Sequence, residues 1–257
     1  YKKIAQVPKV RDYGTFVFFP ELFDLFYGNG PLPEVDVLET NGRGLVGIIT
    51  HPTKKVVVKP IQNSREYEIA QIADELGIEP KQYTSIDGFL TEQFVEGDLF
   101  SKLRGDRASV DSMYNVGRRM GEILSRLHSR DVYYNDTILT DDFGRSHVIV
   151  PETSPAILFD YGVALRLNQH PNFSDEEVYN FARTLPMVGM FLGTQPSQEQ
   201  VQALVQEYRP KLRIAKKEQI IARDIDFINE GLTFATYRLG NHIVEPFLRG
   251  FKETYKR

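Results

Sequence analysis

Two short acidic segments, Tyr134-Asn135-Asp136 and Asp160-Tyr161-Gly162, contain the side chains of this sequence that are best placed to do chemistry. Asp160 follows the apolar run 156–159, and a carboxylate at the end of an apolar strand is costly to bury unless it is paired or bound to a metal. Two β-rich runs, 146–150 and 156–159, flank a turn-forming segment and predict a hairpin between the acidic segments. A loop with one Asp, followed by a hairpin that ends in another, is expected to bring both carboxylates into one cleft.

Helices with regular apolar spacing are predicted to position these segments. A long helix over residues 109–129 leads into the first acidic segment, since Ile123, Leu124 and Leu127 recur at helical spacing. A second helix is predicted over residues 64–77, where Ser64 is a suitable N-cap and Gly77 a suitable residue just past the end. Further helices are predicted from Ser174, over residues 198–208 and 220–231, and finally over residues 237–255.

A Gly-x-Gly-x-x-Gly pattern at Gly42, Gly44 and Gly47 lies among predicted strands in residues 35–60. Alone it is a weak signal, because such triplets often serve only as tight turns. Strands rather than a helix follow it, which disfavours a Rossmann dinucleotide site. The last of these strands carries Lys59.

The order of these features resembles the protein-kinase-like superfamily. Eight residues separate His128 from Asp136, the spacing that those kinases use between the end of a helix and their catalytic Asp. The resemblance covers residues 36–182 and implies an α+β, bilobal protein-kinase-like fold, with a five-stranded antiparallel N-lobe sheet and a mainly helical C-lobe. No Ala-Pro-Glu follows Gly162, so the chain looks like a compact atypical kinase. Such kinases include the lipopolysaccharide-core kinases, the kinase of the tRNA-modification complex, the RIO family and antibiotic phosphotransferases.

The resemblance implies ATP and Mg²⁺ as cofactors and assigns nucleotide-binding roles. The glycines Gly42, Gly44 and Gly47 would let the backbone approach phosphate oxygens, and Lys59 would supply positive charge. A helical Glu should hold that lysine; Glu66 is preferred, and Glu68, on a different face of the helix, is the alternative. The segment 89–98 resembles the hinge between kinase lobes, where backbone groups of Glu92 and Phe94 would recognise adenine.

The same resemblance gives Asp136 the role of the base that accepts the proton of the attacking hydroxyl. The usual His-Arg-Asp triplet is Tyr134-Asn135-Asp136 here, and a rival frame takes Ser129-Arg130-Asp131 as the triplet. Asp160 is expected to bind Mg²⁺. Asp141 stands five residues beyond Asp136, where kinases carry a metal-binding Asn, and Asp142 is the alternative.

Composition excludes several classes of protein. The 257 residues include no Cys, which rules out disulfides, thiol catalysis and Cys-ligated zinc. The net charge of −4 does not indicate a nucleic-acid-binding protein, although a local basic patch is compatible with it. No apolar run approaches the roughly 20 residues that span a bilayer, so no membrane span is expected and the cytoplasm is the default location.

The predicted organisation is an aromatic docking segment (1–35), a kinase-like N-lobe (36–95) and a C-lobe with a helical extension (96–257). The first segment and the basic last helix could each bind a partner protein instead of packing on the domain. The expected function is transfer of phosphate from ATP to a hydroxyl of a protein or small molecule. The alternatives are a pseudokinase that acts as a nucleotide-binding or scaffolding module, and a structural domain that binds no nucleotide.

Overall fold

The computed structural model describes residues 34–40, 44–51, 54–61, 65–78, 80–86, 88–141, 144–169, 172–183 and 197–256. The chain divides into two compact units: unit 1 holds the residues up to Pro60 with Gln82–Phe94, and unit 2 holds Ile61–Lys81 and Val95–Arg257. Described residues of unit 1 form an antiparallel sheet and those of unit 2 are mainly helical. The predicted α+β class is therefore confirmed. The aromatic segment 1–35 lies outside the described residues, except for its last two, which begin the first strand.

Unit 1 contains five strands: β1 (Glu34–Thr40), β2 (Gly44–His51), β3 (Lys54–Pro60), β4 (Gln82–Ile86) and β5 (Phe89–Gln93). Their order in the sheet is β1-β2-β3-β5-β4, with every neighbouring pair antiparallel. Because side chains alternate between the faces of a strand, Val56 and Val58 lie on one face and Lys59 on the other. Leu90 and Glu92 share the face of Lys59, and all five of these side chains are buried.

Among its described residues unit 2 contains α1 (Glu66–Glu75), α2 (Val110–Ser129), α3 (Asp175–Arg183), α4 (Gln198–Ile214), α5 (Lys217–Leu239) and α6 (Val244–Thr254). The predicted start of α2 is confirmed, since the Ser109 hydroxyl accepts a hydrogen bond from the amide of Ser112. The predicted helix over 237–255 is wrong in its extent. Gly240, with a φ of 88°, ends α5, and a 3-10 turn (Asn241–Ile243) precedes α6.

The contact between α2 and α6 depends on glycines. A Cβ atom on Gly117 would lie 2.1 Å from the carbonyl oxygen of Phe247, and one on Gly121 would lie 2.5 Å from that of Phe251. On the other helix, a Cβ on Gly250 would lie 2.2 Å from the carbonyl oxygen of Tyr114. These neighbours are backbone atoms, so they cannot rotate away. Glycine therefore sets how closely the two helices approach.

Gly117→Ala should lower the free energy of unfolding by about 1–3 kcal/mol, because the methyl group must push α6 away from α2. This destabilisation must exceed the gain in helix propensity, because Ala is favoured over Gly in a helix by about 1 kcal/mol. Urea unfolding of the variant measures it. Asn115→Ala, at an exposed position of the same helix, is the matched control and should leave stability unchanged or slightly raised. A Gly117→Ala protein as stable as the wild type would contradict the close contact.

The helix α1 belongs to unit 2, although the predicted N-lobe (36–95) includes it. Two arginines of α2 donate to the carbonyl groups at its C-terminal end: Arg126 to Leu76 at 2.9 Å and Arg119 to Gly77 at 3.3 Å. Arg166 also pairs with Glu68 of α1 at 2.5 Å. Carbonyl groups at the end of a helix lack partners within it, so these guanidinium groups satisfy them and fix α1 to unit 2.

Short strands complete unit 2: β6 (Asp98–Leu99), β7 (Val132–Tyr133), β8 (Val148–Val150), β9 (Ile157–Leu158) and β10 (Leu165–Arg166). β8 and β9 form the hairpin predicted between the acidic segments, and β6 pairs with β8. β7 pairs with β10, so the segments that precede Asp136 and follow Asp160 are hydrogen-bonded neighbours. No described helix is long and apolar enough to cross a membrane.

Candidate active site

The chain passes from α2 to Asp136 through a turn and a strand. Asp131 forms the turn with a φ of 59°, its carbonyl oxygen accepts from the amide of Leu167 at 2.6 Å, and its carboxylate pairs with Lys217. The strand β7 follows this turn and leads to Tyr134-Asn135-Asp136. The choice between this triplet and the rival triplet that ends at Asp131 stays a prediction.

A buried carboxylate on α5, Asp224, holds the backbone of the loop. Its Oδ2 accepts from the amide of Tyr134 at 2.8 Å, and its Oδ1 accepts from the amide of Asn135 at 2.9 Å. His128, near the end of α2, donates to Oδ2 through Nε2 at 2.9 Å, and its Nδ1 lies 2.9 Å from the hydroxyl of Tyr255. Asp224 is fully buried, and these three donors compensate the cost of burying its charge. The residues just before Asp136 are thereby fixed to two helices.

Asp224 was not singled out from the sequence, although a signal exists. It stands four residues after Ile220 and four before Ile228, on the face of α5 that also carries Leu232. A lone carboxylate on the apolar face of a helix indicates a buried group that must have partners. The sequence does not show that these partners are amides about 90 residues earlier in the chain.

Tyr134 lies near both candidate carboxylates. It is fully buried, and its hydroxyl donates to the carbonyl oxygen of Phe159, the residue before Asp160, at 2.5 Å. Burial raises the pKa of Tyr134 well above its usual value of 10.0, and the nearby charges of Asp160 and Asp136 raise it further. The phenol therefore stays protonated and remains a donor. Tyr134 thus connects the Asp136 loop with the end of the hairpin.

Asn135 has a φ of 59°, in the left-handed region that Asn tolerates better than most residues. Its side-chain amide donates to the carbonyl oxygen of Val163 at 3.1 Å, which ties the loop to the segment after Asp160. Asp136 follows and is only partly buried. Its Oδ1 accepts from the amide of Thr137 at 2.7 Å, and no described residue donates to Oδ2. One carboxylate oxygen of Asp136 is thus oriented and the other is available to accept a proton.

Asp160 follows β9 and also has a left-handed backbone, with a φ of 66°. Its Oδ1 lies 3.4 Å from the amide of Gly162, and its side chain is partly exposed. The Nε2 atom of His147 lies 3.9 Å from its Oδ2. The turn at Asp160 therefore directs the carboxylate out of the apolar hairpin toward His147.

His147, which was not predicted as a site residue, lies directly before β8 and is held by hydrogen bonds. Its Nδ1 donates to the carbonyl oxygen of Thr137 at 2.8 Å, and its amide donates to that of Ile138 at 3.2 Å. Its own carbonyl accepts from the amide of Phe159 at 3.0 Å. The ring makes edge contacts with Tyr134 and Phe159. These contacts join the Asp136 loop to the strand that ends at Asp160.

Asp141, the predicted second metal ligand, has both carboxylate oxygens hydrogen-bonded to Arg145. Its Oδ1 accepts from the amide of Arg145 at 2.8 Å, and its Oδ2 accepts from the guanidinium Nε of Arg145 at 2.5 Å. A role as a metal ligand requires this ion pair to open. Asp142, the alternative, lies outside the described residues.

In unit 1, Lys59 lies in a polar cluster on a buried face of the sheet. Its ammonium lies 3.9 Å from Oε2 of Glu92, and the two side chains are only 7% and 6% exposed. Gln82 donates to the same carboxylate oxygen, with a distance of 3.5 Å. Glu92 was expected to matter for its backbone position more than for its side chain, and the structure also places its carboxylate beside the lysine. A buried ammonium needs such a partner.

The structure describes two of the three glycines of the pattern and all of the predicted hinge segment 89–98. Gly42 lies outside the described residues; Gly44 begins β2, and Gly47 lies within β2, opposite Val58. The predicted hairpin between β1 and β2 is present. The amide of Phe94 donates to the carbonyl oxygen of Lys55 at 3.2 Å and continues the sheet. Recognition of adenine by that amide would require this hydrogen bond to break.

The two candidate acids of α1 differ in environment. Glu66 is fully buried, whereas Glu68 is exposed and pairs with Arg166. Burial favours Glu66 as the residue with a specific role, because a buried carboxylate must be compensated. The predicted partnership of Glu66 with Lys59, which belongs to unit 1, stays a prediction.

Within the part of the chain that the structure describes, no group of three or more His, Asp or Glu side chains could hold a metal ion. The predicted binding of Mg²⁺ by Asp160 stays a prediction. No protein-family model matches the chain, and no curated protein matches it.

Proposed function

We propose that this protein is an ATP- and Mg²⁺-dependent phosphotransferase with a hydroxyl acceptor on a protein or small molecule, built on a bilobal kinase-like fold. The observation that carries the proposal is that Asp136 and Asp160 both lie close enough to the buried Tyr134 to act on its hydroxyl electrostatically. The loop backbone that precedes Asp136 is held by Asp224. Units 1 and 2 would correspond to the N-lobe and C-lobe.

The proposed phosphoryl transfer gives each of these side chains a role. The acceptor oxygen forms a bond to the γ-phosphorus of ATP as the bond to the β–γ bridging oxygen breaks, and Asp136 takes the hydroxyl proton. Asp160 would hold Mg²⁺, which neutralises charge on the phosphates when bound. Lys59 would contact phosphate oxygens, with Glu66 and Glu92 as carboxylate partners. Catalysis would come mainly from positioning and electrostatic stabilisation.

Loss of the Lys59 charge tests the nucleotide role of unit 1. Lys59→Met keeps an aliphatic side chain and should lower turnover on the order of 10²-fold, the usual effect of removing one charge-stabilising donor. Release of ADP from ATP and Mg²⁺, in the presence of a panel of hydroxyl acceptors, measures it. Lys102→Met, which removes the same charge at an exposed position, is the control and should retain activity. Equal activity of both variants would remove Lys59 from the site.

A nucleotide-binding module without turnover is the second candidate. The observation in its favour is the ion pair between Asp141 and Arg145, which occupies the carboxylate predicted to be a second ligand of the metal ion. Such a module would be stabilised by ATP and would release no ADP with any acceptor. The same assay, combined with the shift in melting temperature caused by ATP, separates the two candidates.

A further inference from the structure

Hydrogen bonding defines the tautomer and the orientation of the His147 imidazole. A carbonyl oxygen can only accept, so the hydrogen bond of 2.8 Å to Thr137 places the proton on Nδ1. In the neutral ring, Nε2 then carries a lone pair, and this is the atom that faces Asp160. Histidine ligands of metals usually donate their other ring nitrogen to a carbonyl or carboxylate, which fixes the ring. His147 shows this arrangement.

The distance between the two side chains is one that a single cation can bridge, and it is too long for a hydrogen bond. Nε2 and Asp160 Oδ2 are 3.9 Å apart, beyond the range of a hydrogen bond. Two atoms that each lie about 2.1 Å from one cation are separated by at most about 4.2 Å, so a single ion can contact both. Both side chains are partly exposed, which leaves room for phosphate oxygens and water as further ligands.

The backbone around His147 keeps this geometry in place. Its amide and carbonyl are both hydrogen-bonded, to Ile138 and from Phe159, and the ring packs against Tyr134 and Phe159. A site held within a few tenths of an ångström needs side chains locked in this way. Asp141, by contrast, has its carboxylate occupied by Arg145.

We propose that His147 is the second protein ligand of the divalent cation held by Asp160, and that this nitrogen ligand makes the site prefer first-row transition cations to Mg²⁺. The inference rests on the proposed function, because the nucleotide phosphates complete the coordination. Mg²⁺ takes oxygen ligands, whereas transition cations accept imidazole readily. The nitrogen ligand therefore favours Mn²⁺ over Mg²⁺ in the complex with ATP, and Co²⁺ more strongly still.

Pulsed EPR of bound Mn²⁺ tests the ligand directly. The protein is labelled with ¹⁵N in its histidines and mixed with unlabelled ATP, so that a ¹⁵N coupling can come only from a histidine. The wild type should show this coupling. His147→Asn should lose it and should lower the preference for Co²⁺ over Mg²⁺, measured as the ratio of dissociation constants with ATP, by about tenfold or more. His242→Asn, at an exposed position, is the matched control and should change neither quantity.

The outcomes of these measurements distinguish failure of the His147 ligand assignment from failure of the proposed function. If Mn²⁺ and ATP bind without a ¹⁵N coupling, or if the coupling persists in His147→Asn, then His147 is not a ligand and the proposed phosphotransferase function still stands. If neither Mg²⁺ nor Mn²⁺ supports any binding of ATP, the proposed function fails and the ligand assignment fails with it.

Discussion

Asp160→Asn should abolish the stabilisation that ATP and a divalent cation give to the protein. The substitution keeps the size of the side chain and removes the charge that is proposed to anchor the cation beside the phosphates. Ligand at about 100 times its dissociation constant stabilises a protein by roughly 2.7 kcal/mol, and this contribution should vanish in the variant. The shift in melting temperature with and without ATP and Mg²⁺ measures the loss.

Asp136→Asn should behave differently, because in the proposed function Asp136 would face the acceptor and would not hold the nucleotide. The variant should keep the shift in melting temperature while turnover falls by a factor on the order of 10²–10⁴, the usual contribution of a positioned base. Asp131→Asn is the matched control, since Asp131 lies in the turn after α2 and pairs with Lys217. Normal turnover of Asp136→Asn, together with an inactive Asp131→Asn protein, would transfer the catalytic role to the rival frame.

The second large effect is expected from Asp224→Ala. The substitution removes the acceptor of the Tyr134 and Asn135 amides and of the His128 ring, which lie in a fully or largely buried region. Removing one partner of a buried charged network typically costs about 3–5 kcal/mol, because the remaining groups lose their compensation. Urea unfolding should show a loss of this size.

Two comparisons make the Asp224 result specific. Asp226→Ala, on the same helix and largely exposed, should change stability by less than about 0.5 kcal/mol. Asp224→Asn keeps one acceptor oxygen and should lie between the wild type and Asp224→Ala. A folded Asp224→Ala protein with normal stability and full turnover would show that the carboxylate does not hold the catalytic loop.

Features with a local pattern could be predicted from the sequence. The Gly-rich turn and the runs around it predicted strands within residues 35–60, and the two β-rich runs predicted the hairpin of β8 and β9. Helical spacing and Ser109 predicted α2. These signals lie within a few residues of the elements that they specify, so they can be read without knowledge of the fold.

The contacts that complete the candidate site join residues far apart in the chain, and local patterns do not encode them. Asp224 reaches Tyr134 across 90 residues, and His147 meets Asp160 only because the hairpin aligns them. Asp141 is predicted from its distance in sequence from Asp136. That distance does not reveal that the carboxylate of Asp141 forms an ion pair with Arg145. The membership of α1 in unit 2 depends likewise on distant arginines.

Calorimetric titration of ATP into the wild-type protein, with Mg²⁺ or Mn²⁺ present, is the most direct test that this protein uses a metal–nucleotide complex. The predicted result is binding of one ATP per chain that depends on the cation and is lost in Asp160→Asn. The contradicting result is the absence of binding by ATP and GTP at millimolar concentration with either cation.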